Sequence, residues 1–114
     1  MYKRDKKLFL NDIIESIDAI LDYVKGYELE DFKTNRLVYQ AVIREFEIIG
    51  EATKNIYEFL KEKYPNYPWR LIIDFRNKIS HEYFGVDFVL IWNTIFLKLP
   101  ELQKIIKEIL KETE

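Results

Sequence analysis

Cysteine is absent from the 114 residues, which excludes disulfide frameworks, thiol nucleophiles and cysteine-ligated zinc. Glycine and proline are scarce, at three each, so the chain divides into long uninterrupted segments. It offers no Gly-rich phosphate loop, no G-x-S-x-G elbow and no dinucleotide fingerprint. No cofactor is expected. Long apolar runs are missing too, and none approaches the roughly 18 residues that a bilayer crossing requires. The first residues, MYKRDKKLFLNDIIES, interrupt their apolar positions with Asn11, Asp12 and Glu15, unlike the apolar core of a signal peptide. A cytoplasmic location without membrane contact is the expectation. Nor does charge of one sign prevail: 18 basic against 20 acidic residues leave a net charge of −2. A uniformly basic coat for nucleic acid is excluded, and any such interface must be focused. Histidine occurs once, at His81.

What remains is 48% apolar and 33% charged, enough for one domain with a core across residues 1–114. Apolar residues at Leu10, Ile13, Ile14, Ile17, Ile20, Leu21 and Val24 keep the three-and-four spacing of one helical stripe, and Gly26 is placed to cap its end. A second stripe runs from a Thr34 N-cap through Leu37, Val38, Ala41, Val42, Ile49, Ala52 and Ile56 towards Leu60. Gly50 lies in its middle, where glycine costs roughly 1 kcal/mol relative to alanine, so a close helix crossing or a functional need holds it there. Tyr64-Pro65-Asn66-Tyr67-Pro68 must be a connection, because prolines three residues apart do not fit a regular helix. Pro68 suits the first position of a third helix reaching about Tyr83, and Gly85 would end it. Asp87 would cap a fourth, and Pro100 predicts a kinked or broken last helix. The pattern predicts an all-α, antiparallel bundle of four to five helices.

The polar stretch of the third helix, Arg76-Asn77-Lys78-Ile79-Ser80-His81-Glu82-Tyr83, is where chemistry concentrates. At about 100° per residue, Arg76 and His81 point roughly 140° apart, whereas Arg76 and Tyr83 share a face. One straight helix cannot aim Arg76 and His81 at the same atom. Either the helix loosens as Gly85 approaches, or two copies face each other, each His meeting the other's Arg. Structural readings stand beside this one. A single His near a helix end can be a surface or capping residue, Arg76 can pair with Asp74, Glu82 or a partner subunit, and Tyr83 can pack. Glu51, beside Gly50, can brace Arg76 or Arg44 or face solvent. Asp18 and Asp22, like Glu47 and Glu51, are i,i+4 carboxylate pairs joined by no histidine in sequence, so no metal is expected.

The element Arg76-x4-His81-x-Tyr83 resembles the signature of the HEPN family, and specifically the HepT-like ribonuclease toxins paired with minimal nucleotidyltransferases. The segments Tyr39–Arg44, Glu47–Ala52, Tyr64-Pro65, Pro68–Arg70 and His81–Asp87 resemble that branch as well, so the likeness spans nearly the whole chain. It implies a HEPN-like bundle, a homodimer with the two elements facing across a cleft, and metal-independent cleavage of RNA. It also implies a nucleotidyltransferase antitoxin that silences the toxin, including by adenylylation of the motif tyrosine, here Tyr83. The residue after Arg76 is Asn77, so any polar role there falls to an amide rather than to a carboxylate.

Elementary chemistry is compatible with this. Metal-free RNA cleavage needs a group that moves protons near neutral pH and a cation that offsets charge on the phosphorane, tasks suited to His81 and Arg76. His81 can deprotonate the 2′-hydroxyl or protonate the leaving 5′-oxygen, and Lys78 can add charge. The competing expectation is a non-catalytic helical module that binds a nucleotidyltransferase and presents Tyr83, or a ligand, to it. Activity of the purified chain on RNA separates the two.

Overall fold

The computed structural model describes residues 3–80 and 85–113. Among the described residues it is all-helical, as the periodicity predicts: α1 (Lys3–Tyr23), α2 (Leu29–Thr34), α3 (Arg36–Asn55), α4 (Tyr57–Lys63), α5 (Trp69–Ser80), α6 (Phe88–Leu97) and α7 (Leu99–Thr113). The larger number of segments reflects interruptions of the expected helices and one short addition. α3 and α4 are one helix broken at Ile56, whose N–H still donates to Ala52 O. α6 and α7 break at Lys98, two residues before Pro100, whose ring would meet the carbonyl four residues back in a continuous helix.

α1 buries Leu10, Ile13, Ile17 and Ile20, and Val24 just past its end is buried too, five of the seven stripe residues; the helix packs against α3 and α7. It runs antiparallel to α3 and α4: the Tyr23 hydroxyl donates to Glu45 at 3.0 Å, and at the other end Lys6 lies 4.8 Å from the Phe59 ring centroid. That hydrogen bond and the Glu45 charge hold the Tyr23 hydroxyl above its ordinary pKa. Past the end of α1, Gly26 adopts φ +79°, a left-handed turn that glycine enters without a Cβ penalty.

Two details of the second stripe differ from expectation. Thr34 does not cap α3. It closes α2, its hydroxyl donating back to Glu30 O at 2.9 Å, and Asn35 caps instead, accepting from Val38 N at 3.1 Å. Leu37 is 82% exposed, because five residues at about 100° each place it roughly 140° from buried Val42. α2 itself exists to carry Phe32, fully buried, whose ring lies 5.3 Å from that of Trp92 and 6.1 Å from that of Phe88. These contacts seat α6 on the bundle.

The connection at 64–68 anchors the start of α5. Trp69, the first residue of α5 one place after Pro68, is buried, donates its Nε1–H to Tyr64 O at 2.9 Å and packs on Tyr67 at 4.7 Å. Burial pushes the Tyr67 hydroxyl up to about 12. Asp87 caps α6 as expected, accepting from Leu90 N at 3.0 Å. α6 carries no charged residue, and while Ile91 and Ile95 are buried, Val89, Phe96 and Leu97 stay exposed. No helix among the described residues is long and apolar enough to cross a membrane.

Candidate active site

α5 crosses α3 antiparallel, Arg76 lying against Gly50 and Ser80 Oγ donating to Glu47 Oε2 at 2.9 Å. A Cβ added to Gly50 would overlap Cβ and Cγ of Arg76, so the glycine inside α3 is explained by a close approach. That approach concerns the motif arginine itself. The stem of Arg76 lies flat on the α3 backbone, and its guanidinium reaches a cleft of about 250 Å³ between α1, α3 and α5, lined among others by Asp12, Arg44, Glu47 and Glu51.

The guanidinium is held on two sides. Nη1 donates to Asn77 Oδ1 at 3.0 Å, and Nη2 lies 3.5 Å from Glu51 Oε2. Nε is buried with no hydrogen-bond partner among the described residues. The Arg76 side chain is 33% exposed and that of Glu51 54%. Glu47, besides accepting from Ser80, stands 3.9 Å from Arg44 Nη1. Two cations and three carboxylates therefore share the cleft, and Arg76 does not stand as an open phosphate receptor.

The expected residues fall into three groups. Arg76 and Asn77 are brought together. Lys78 is exposed and, two residues along the helix, projects about 160° away from Arg76, so it adds no charge beside the guanidinium. His81 and Tyr83, with Glu82, lie outside the described residues. Of the structural partners considered for Arg76, Asp74 is corrected: it pairs with Arg70 at 3.3 Å, one turn back on the same face, and Glu51 is the carboxylate at Arg76. Of the carboxylates weighed for metal, Asp18 accepts from Gln103 at 2.6 Å, and the Glu47/Glu51 pair meets Ser80, Arg44 and Arg76. Sequence reasoning gave Glu47 no role at this site, and its spacing of one turn from Arg44 and from Glu51 was the available signal.

The fold and the site together are a helical bundle in which a part-buried arginine is held between an amide and a carboxylate at a cleft. The chain belongs to the HepT-like ribonuclease family, whose model, described as "Ribonuclease HepT-like", matches residues 13–109. A Methanocaldococcus jannaschii protein named "Putative RNase MJ1216" is 42% identical over 114 residues, covering 100% of this chain and 94% of the relative. "Putative RNase TTE0752" of Caldanaerobacter subterraneus subsp. tengcongensis is 41% identical over 104 residues, covering 91% of this chain and 93% of the relative. "Probable ribonuclease HepT" of Thermococcus cleftensis is 42% identical over 101 residues, covering 89% of this chain and 92% of the relative. No solved structure matches the chain significantly.

Proposed function

We propose that the chain is a metal-independent endoribonuclease toxin, active as a homodimer and silenced by a minimal nucleotidyltransferase. The observation that carries this is the R-x4-H-x-Y element of a HepT-like chain, with Arg76 of that element presented in a cleft. Ser80, the residue before His81, is tied by its hydroxyl to Glu47 of the same cleft. In the reaction the 2′-oxygen attacks phosphorus, the bond from phosphorus to the 5′-oxygen breaks, and a cyclic phosphate and a 5′-hydroxyl result. His81 takes the 2′-hydroxyl proton or supplies the proton to the leaving oxygen, and Arg76 offsets charge on the phosphorane. The test is cleavage of RNA by the purified chain in excess chelator, and its loss in His81→Ala.

The second copy has a natural seat on α6. Val89, Phe96 and Leu97 are 54%, 47% and 71% exposed, an apolar patch that a second copy would cover in a symmetric dimer. The wild-type chain is expected to sediment as a dimer at micromolar concentration, and Leu97→Asp, which removes no buried contact, as a monomer. A wild type found only at 13.9 kDa would refute the assembly.

Silencing follows from the same chemistry. The partner transfers AMP from ATP to the Tyr83 hydroxyl and releases pyrophosphate, and the added phosphate places negative charge where the substrate's phosphate must bind. After incubation with the partner, ATP and magnesium, intact-mass analysis is expected to show added adenylate on wild type and none on Tyr83→Phe. Unchanged modification of Tyr83→Phe would place the acceptor elsewhere.

A further inference from the structure

The edges of the Arg76 guanidinium are unequally accessible. Nε is buried without a hydrogen-bond partner among the described residues, and Gly50 backs the stem, so an incoming anion meets the Nη edge. Asn77 Oδ1 takes Nη1 at 3.0 Å from the neighbouring position on α5. Nη2 faces Glu51 at 3.5 Å, well beyond the roughly 2.7–2.9 Å of a tight charge-assisted hydrogen bond. The Glu51 side chain is more exposed than Arg76, at 54% against 33%, so the carboxylate stands on the solvent side of the pair. An ion pair so exposed is weak and easily exchanged.

We propose that Glu51 is an internal counter-ion that occupies the phosphate-binding edge of Arg76 in the resting chain and is displaced by a phosphate group of the substrate. This rests on the reading of Arg76 as the phosphate-binding residue. Glu51 lies one residue past Gly50, so the position that lets Arg76 cross α3 also delivers a carboxylate to its head. The pair presets the guanidinium, since the charge that holds Arg76 in the cleft is one that phosphate replaces in kind. It also raises the threshold for binding, because phosphate must drive a like charge out of the way. Glu51 is thus a positioning residue acting through Arg76. Glu47, fixed by Ser80 and near Arg44, and Asp12 are the carboxylates of the same cleft without this role.

The experiment is a titration with inorganic phosphate at constant ionic strength, followed at the Arg76 Nε–H resonance. In Glu51→Gln the midpoint is expected about fivefold lower than in wild type, as befits release of one exposed ion pair. Glu47→Gln removes the same charge from the same cleft and is expected within about twofold of wild type. Glu51→Asp, which keeps the charge, should titrate nearer to wild type than to Glu51→Gln. Equal midpoints for wild type and Glu51→Gln, no response in either, or an equal gain in Glu47→Gln would overturn the proposal. RNA cleavage by the same proteins separates this from the nuclease reading. A shifted midpoint without any cleavage leaves the counter-ion standing and removes the nuclease. Cleavage that needs Arg76, with no midpoint shift, removes the counter-ion alone.

Discussion

His81→Ala and Arg76→Met are each expected to lower RNA cleavage by the purified chain by about a hundredfold or more, with no dependence on added divalent metal. The histidine has no substitute in the chain, since it is the only side chain whose ordinary pKa lies near neutrality. Losing a positioned general acid or base typically costs 10²- to 10⁴-fold. Arg76→Met keeps the aliphatic stem that lies on Gly50 and removes only the charged head, so a fall in rate reports lost phosphorane stabilisation rather than lost packing. Arg76→Lys is not expected to restore full activity, because an ammonium cannot reproduce the planar fork. Full activity of His81→Ala, or abolition of wild-type cleavage by a chelator, would sink the mechanism. A wild type that cleaves no RNA, yet binds and is modified by a nucleotidyltransferase, would leave the non-catalytic module.

Gly50→Ala is expected to leave the chain folded while reducing cleavage by about a hundredfold. The two effects on stability oppose each other. Alanine in a helix interior is favoured over glycine by roughly 1 kcal/mol, and overpacking at a close crossing costs about 1–3 kcal/mol. The net change in stability is therefore small or modestly unfavourable. Activity has no such offset. The added Cβ would collide with Cβ and Cγ of Arg76, the rigid base of that side chain, so α5 must move away from α3. A displacement of about 1 Å at a reacting group can cost 10²-fold. Thermal unfolding together with the cleavage rate reads both effects. A folded Gly50→Ala with wild-type activity would show that the depth at which Arg76 sits against α3 does not matter to catalysis.

Much of the fold was legible because helices announce themselves locally. The stripe of Leu10 to Val24, the Asp87 cap and the interruption near Pro100 are consequences of backbone geometry within a few residues. α2 was missed because its six residues carry one buried anchor, Phe32, and no period can be read from a single residue. Thr34 looked like an N-cap for the same reason. Its hydroxyl and that of a true cap are alike in sequence, and only the placement of α2 decides that it bonds backwards.

The sequence by itself determined an all-helical chain, the grouping of Arg76, Asn77, His81 and Tyr83 in one short element, and the oddity of a glycine inside a long helix. These are properties of spacing and residue type, which a chain carries before it folds. Tertiary structure alone decided that the glycine and the arginine belong to one crossing and that Glu51 rather than Asp74 meets the guanidinium. Gly50 and Arg76 are far apart along the chain, and Asp74 is closer in sequence to Arg76 than Glu51 is. Which carboxylate reaches a cation depends on how two helices cross, and that crossing is set by side chains on both at once.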